Sequence, residues 1–190
     1  DNYSRSDEQS KKEPIFPLDV YLCEECGQLQ LFDTIDPTLI YDNYTYQTAG
    51  SIGLQRHFDD YCEQLLSIHE NFQGHLMIDI GCNDGSMLRA FQSRGMKVLG
   101  VEPAKKIAEQ VNQSGLEVLN DYFSLGLAKE IESRFSKAKV ITANNVMANI
   151  DDLNDFIAGV SLLLDNNGIF AFESGYLMDL INHHVLDNIY

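Results

Sequence analysis

The chain has 190 residues, 44% of them hydrophobic, which suffices for one full core and an appendage. Twenty-nine acidic against thirteen basic residues leave a formal charge of −16; such a surface repels a phosphate polymer and argues against a nucleic-acid partner, although an anionic small molecule can still bind through local donors. No apolar run reaches the length of a membrane span, the start is polar rather than signal-like, and four cysteines in two unlike settings do not make a disulfide framework, so the expected setting is the reducing cytoplasm.

Residues 1–13 are polar throughout and are expected to be poorly ordered. Ile15 to Leu31 read as short extended pieces around the turn Cys23-Glu-Glu-Cys26-Gly27. Two thiolates from a tight turn have the geometry of one zinc knuckle, but a structural zinc takes four ligands. A second Cys-x-x-Cys is missing; Cys62 falls on a predicted helix and Cys82 in a glycine loop, while His57, His69, His75, His183 and His184 are scattered. The pair therefore reads as half a metal site, in preference to a redox dithiol, because no helical pattern follows it. The run Tyr41-Asp-Asn-Tyr44-Thr-Tyr46-Gln-Thr48, followed by Gly50-Ser51, is either a packed connector or a lid whose hydroxyls meet a ligand.

From His57 to Glu70, Phe58, Tyr61, Leu65 and Ile68 recur at helical spacing and predict an amphipathic helix. Apolar runs at 76–80, 97–101, 116–119, 138–143 and 168–173 then predict strands, separated by helical segments near 85–94, 104–114, 124–134 and 152–164. Strands alternating with helices give a parallel sheet with right-handed crossovers, a doubly wound α/β fold. Asn166-Asn167-Gly168 is expected to be the turn before the fifth strand.

The stretch Leu76-Met-Ile-Asp79-Ile-Gly81-Cys82-Asn83-Asp-Gly85 carries the most information. It predicts a strand ending in a tight turn, with backbone N–H groups and a helix start facing a ligand. Glu102-Pro103 follows the next strand about twenty residues on, where such folds hold a ribose. A dinucleotide loop needs a glycine where Asn83 stands, so that a pyrophosphate can approach. S-adenosylmethionine has no phosphate, and Asp79 can orient the ammonium side of its methionine moiety. Asn83 is tolerable at a left-handed position. The loop thus favours S-adenosylmethionine over a nicotinamide or flavin; a sharp turn without any ligand is the remaining reading. After the third strand, Asp121 is placed to accept from an adenine amino group with Tyr122 covering the ring, to cap the next helix, or both. Asn144-Asn145 leaves the fourth strand at the ligand-binding edge and reads as site or as turn.

In this order these segments resemble the S-adenosylmethionine-dependent C-methyltransferases of deoxysugar biosynthesis. The resemblance runs from about Pro17 to Tyr190 and rests on Phe16-Pro-Leu-Asp-Val-Tyr-Leu-Cys23, Cys26-Gly-Gln-Leu-Gln30, Tyr44-Thr-Tyr46, Asp79 to Gly85, Gly100-Val-Glu-Pro103, Asn144-Asn-Val146 and Asp187-Asn-Ile-Tyr190. It implies a Rossmann-like methyltransferase domain, 49–190, behind the remnant of a four-cysteine zinc module and connector, 1–48. A first cysteine pair is missing, which implies a truncated chain in which zinc at Cys23 and Cys26 and activity are both open.

The resemblance further implies methylation of a carbon of a nucleotide-linked keto-deoxysugar. Tyr44 (or Tyr46) and Tyr190 match proposed acid–base tyrosines. Asn149 stands where the family has a histidine and cannot serve as a base. Cys82 replaces a common serine in a loop that acts through its backbone. The cofactor set implied is Tyr46, Thr48, Ser51, Asp79, Gly81, Cys82, Asn83, Gly85, Glu102, Pro103, Asp121, Tyr122, Asn144 and Asn145. A non-catalytic cofactor-binding fragment and an NAD-dependent oxidoreductase are the rival expectations. Oligomeric state cannot be read from the chain.

Overall fold

The computed structural model describes residues 14–42, 44–51, 53–68 and 72–184. The expectations placed on residues 1–13, on His69 and on Tyr190 fall outside them. The chain parts into two compact units, Tyr44–Ser174 and the flanks Asp1–Asn43 with Gly175–Tyr190. The boundary expected from the sequence lies at 48/49.

In the flanking unit, β1 (Val20–Leu22) pairs antiparallel with β2 (Leu29–Leu31), Tyr21 facing Gln30. The cysteine turn joins them: the Cys23 amide donates to the Gln28 carbonyl at 2.8 Å and the Gly27 amide to the Cys23 carbonyl at 2.9 Å. Gly27 has φ +74°, a left-handed conformation open to glycine at little cost. The short helix α1 (Pro37–Tyr41) starts on a proline, and its N-cap Asp36 accepts from the Thr38 amide.

The other unit opens with α2 (Leu54–Ile68), three residues earlier than the periodicity suggests, and α2 buries Cys62 and Leu65. Then β3 (Leu76–Ile80), α3 (Ser86–Gln92), β4 (Lys97–Val101), α4 (Lys105–Gln113), β5 (Val118–Leu119), α5 (Leu125–Arg134), β6 (Ala138–Asn144), α6 (Leu153–Leu163) and β7 (Leu164–Glu173) alternate along the chain. The five strands form one sheet in the order β5-β4-β3-β6-β7, every pair parallel. The chain leaves central β3 toward β4 and β5, then returns to β6 and β7 on the other side. That reversal opens a crevice at the C-terminal edge between β3 and β6.

Helices cover both faces, which is why the strands read as apolar runs instead of alternating ones. Within β3 the strand period still sorts residues. Met77 joins Phe91, Leu88, Ile107, Val111 and Cys62 on one face, while Leu76, Ile78 and Ile80 join Leu99, Ile131, Ile141 and Phe156 on the other. Asp79, on the Met77 face by that alternation, is the one charged residue in the strand.

Two strand expectations need correction. β5 is only two residues long, beginning at Val118 rather than at 116. β7 begins at Leu164, directly after α6, and Asn166-Asn167-Gly168 lies inside it. Ala138 pairs with Leu164 but Val140 with Ile169, so the Asn-Asn-Gly run lies in a register shift where residues 165–168 stand against Lys139 alone. Helix α7 (Leu177–His183) belongs to the flanking unit and ends at His184, φ +55°. No helix among the described residues is long and apolar enough to cross a membrane.

Phe91 is fully buried in the cluster between α2, α3 and α4. Phe91→Ala is expected to cost about 3–5 kcal/mol, read as a lowered urea midpoint with an unchanged slope.

Candidate functional site

The glycine loop begins where Gly81, φ +73°, turns the chain off β3. A Cβ there would lie 2.5 Å from the Val146 methyl, so the strand-end turn and the β6 exit are packed together. The Gly81 and Cys82 amides both donate to the Val101 carbonyl, at 2.8 and 3.1 Å, which ties the turn to the end of β4. Gly85, φ +77°, starts α3 with Leu116 and Val111 carbons 2.9 and 3.0 Å from where a Cβ would stand.

Between them Asn83 takes the left-handed conformation, φ +47°, foreseen for it. Its amide donates to Glu102 Oε2 at 2.9 Å, and the Ala104 amide donates to Glu102 Oε1 at 2.8 Å. Each carboxylate oxygen thus takes one backbone donor and keeps acceptor capacity. Burial raises the Glu102 pKa while the two amides pull it down. Asn120, outside the expected site set, donates from Nδ2 to the Glu102 and Pro103 carbonyls at 2.9 and 2.8 Å, fixing β4's exit.

Cys82 turns its side chain inward. Its Sγ would lie 2.5 Å from a Cβ on Gly100, and burial, with Asp79 and Glu102 nearby, pushes the thiol well up. Cys82 is therefore a neutral packing group that contributes its backbone to the loop.

Asp79 is 4% exposed, and its Oδ1 accepts from Thr142 Oγ1 at 2.6 Å. Burial pushes its pKa up to about 7, against the lowering by Thr142 and with added repulsion from Glu102. The fold thus favours the protonated acid.

A segment ahead of α2 straps over the loop. Asn83 Oδ1 accepts from the Thr48 amide at 3.0 Å and from Thr48 Oγ1 at 3.3 Å, while Asn83 Nδ2 donates to the Tyr46 carbonyl at 2.9 Å. The Ala49 amide donates to Asp84 Oδ2 at 2.6 Å, and the Tyr46 hydroxyl bonds Ser51 Oγ at 2.8 Å. Tyr44 packs on the adjacent core, its ring 6.4 Å from that of Tyr46. Asp84, unforeseen, also accepts at Oδ1 from the Ser86 amide and hydroxyl, at 3.0 and 2.6 Å, in a local turn ahead of α3. Beside the loop a cavity of about 300 Å³ is lined by Gln47, Ala49, Asp84, Arg89, Gln110 and Val111.

At the other strand ends the outcomes vary. Asp121 is exposed, and its carboxylate accepts from the Tyr122 amide at 2.8 Å. The cap of α5 is Ser124, whose Oγ accepts from the Leu127 amide, so the expectation that Asp121 caps this helix is corrected. Asn144 Oδ1 accepts from the Tyr61 hydroxyl at 3.3 Å. Asn145, φ +55°, makes the turn and donates its amide to the Glu173 carbonyl at 2.7 Å. Asn149 is exposed in a short 3-10 turn and donates to the Asn145 carbonyl. His57, Tyr61 and Glu173 meet at this edge unforeseen. The signal available was Glu173's position at the end of the fifth strand.

In the flanking unit, backbone donors from Cys26 and Glu25 lower the Cys23 pKa, as suits a thiolate metal ligand. Among the described residues no third Cys, His, Asp or Glu joins Cys23 and Cys26 in a cluster that could hold a metal ion.

Two outcomes follow from this geometry. With a native pKa of about 7 against 3.8 ordinarily, Asp79 binds more protons folded than unfolded between those values. Its contribution is full below about pH 4 and is lost as pH rises to about 7, by about 4 kcal/mol in all. Asp79→Asn should remove that component of the slope, measured as the wild-type minus variant difference in unfolding free energy against pH. Asn83→Gly keeps the left-handed backbone but drops the latch. Amide exchange at Thr48 should quicken about tenfold or more, with the β3 and β6 amides unaffected.

Comparison with known proteins agrees with this architecture. A family model described as a methyltransferase domain matches residues 51–186, and a model for a proposed zinc binding domain matches residues 1–41. The C-methyltransferase NovU of Streptomyces niveus is 32% identical over 181 residues, 94% of this chain; the chain spans 42% of that relative's length. Among solved structures, the plantazolicin methyltransferase BpumL, in complex with a pentazolic desmethylPZN analog and SAH, superposes with a TM-score of 0.57 at 12% identity, over 72% of this chain and 53% of that one. The magnesium protoporphyrin IX methyltransferase from Synechocystis PCC 6803 with bound SAH gives 0.52 at 19% identity, over 70% and 62% of the two chains. These two likenesses bear on the fold, and with the domain match covering well over half the sequence, the chain belongs to the methyltransferase-domain family.

Proposed function

We propose that this chain binds S-adenosylmethionine at the Gly81–Gly85 loop and transfers its methyl group to a carbon of a nucleotide-linked keto-deoxysugar. The observation that carries the reading is the pairing of the loop with Glu102: a carboxylate held at the end of β4 by two amides, with acceptor capacity left for ribose hydroxyls. The donor set suits this cofactor. Gly81 and Gly85 keep side chains off the loop, and Asn83 fills the place a pyrophosphate would need open. Asp121 and Tyr122 would flank the adenine, Asp79 would answer the ammonium, and Asn144 with the strap residues Tyr46, Thr48 and Ser51 would border the methionine moiety.

When bound, the cofactor supplies a methyl group already activated by its sulfonium. The protein's own part is then to orient the acceptor, exclude water and remove a proton beside the acceptor's carbonyl. The carbon acceptor is supported by the likeness to a C-methyltransferase, and the sugar by the family resemblance of the Tyr-rich and glycine-loop segments. Tyr44 and Tyr46 are the tyrosines proposed for acid–base work within the described residues. Asn149 is unsuited to it, since an amide is no base at neutral pH.

Calorimetric titration with S-adenosylhomocysteine tests the reading. Micromolar affinity is expected, weakened about tenfold to a hundredfold by Glu102→Ala. Binding of NAD with no binding of S-adenosylhomocysteine would contradict it.

A further inference from the structure

The exit of β6 and the end of β7 carry a cluster of titratable groups outside the glycine loop and the strap. Glu173 is the last residue of β7 and pairs in register with Asn144, the last of β6. Across from them lies α2. His57 Nε2 stands 3.1 Å from Glu173 Oε2, and one helical turn on, the Tyr61 hydroxyl donates to Asn144 Oδ1 at 3.3 Å. The His57 and Tyr61 rings lie 6.1 Å apart, and Phe58 flanks the imidazole at 5.7 Å. His57 and Glu173 keep 46% and 44% of their side-chain surface exposed, so a ligand at this edge can reach them. The edge is the one where doubly wound folds bind ligands.

We propose that His57, oriented by Glu173, is the base that takes the proton from the acceptor carbon, with Tyr61 held beside it by its bond to Asn144. The inference rests on the methyl-transfer reading above. A carboxylate only accepts, so Glu173 selects the tautomer with the proton on Nε2, and Nδ1 keeps its lone pair. A base held by a third group that fixes its tautomer and stabilises its charged form is the arrangement proton abstraction needs. In the step, the acceptor C–H bond breaks, its proton goes to Nδ1 and its electron pair moves into the carbonyl as an enolate. That pair then forms the new C–CH3 bond as the S–CH3 bond breaks toward sulfur, and the imidazolium returns its proton to water. Tyr61 is suited to donating, not to deprotonating. Burial, then the charges of Asp79 and Glu173, push its pKa up to about 12. The cluster also supplies the function that Asn149 cannot.

The test separates this step from cofactor binding. Thymidine diphosphate-linked 4-keto-6-deoxyglucose serves as the probe acceptor in D2O with S-adenosylhomocysteine present, and loss of its α-proton is followed by NMR. Wild type should exchange, His57→Gln should slow exchange about a hundredfold or more, and both should bind S-adenosylhomocysteine alike. Nitrogen-15 shifts should report the Nε2–H tautomer of His57 in wild type and a mixture in Glu173→Gln. Exchange at the wild-type rate in His57→Gln, an Nδ1–H tautomer, or no exchange in a wild type that binds S-adenosylhomocysteine would each overturn the proposal. Failure of wild type to bind S-adenosylhomocysteine would instead sink the reading on which it rests.

Discussion

The Glu102 carboxylate organises this site. Buried at the end of β4, it reaches to the neighbouring strand's loop and takes the Asn83 amide, while its other oxygen takes the Ala104 amide. Without an acceptor the Asn83 N–H would be an orphan donor in a left-handed turn, and the loop would lose the hold that sets its distance from β4. The strap depends on the same residue once removed, because Asn83 presents its side chain to Thr48 and Tyr46 only when its backbone is held there. One carboxylate thereby shapes the loop, keeps capacity for a ligand and fixes where the cover attaches.

The electrostatics around it are dominated by two buried acids. Asp79 and Glu102 are both buried and both raised; Glu102 adds to the repulsion felt by Asp79, and both add to that felt by Cys82. Thr142 on Asp79 and two backbone amides on Glu102 offset this. Two carboxyl groups with so few donors are costly in an apo fold. A ligand carrying an ammonium and a sulfonium would relieve that cost. The −16 surface, uninformative about any single pocket, agrees in sign.

Much of this was legible in the sequence because it rests on local geometry. Gly81 and Gly85 announced their positive φ, Asn83 its tolerance for it, and the carboxylate about twenty residues on its place beside the loop. What the sequence hid is what long-range packing creates. His57 looked like one of several scattered histidines until α2 laid it against Glu173, 116 residues away. Asn166-Asn167-Gly168 carried a turn signal, but the ladder to β6 continues on both sides of it, so the turn residues lie in a register shift inside the strand. Asp121 was expected to cap α5, and the backbone path puts Ser124 there instead.

A crystal structure of the protein with S-adenosylhomocysteine tests the central claim most directly. The account predicts the ribose hydroxyls within hydrogen-bond distance of Glu102, with the Asn83 amide still on the same carboxylate. A ligand seated away from Glu102, or bound only after the Asn83–Glu102 bond has broken, would contradict it.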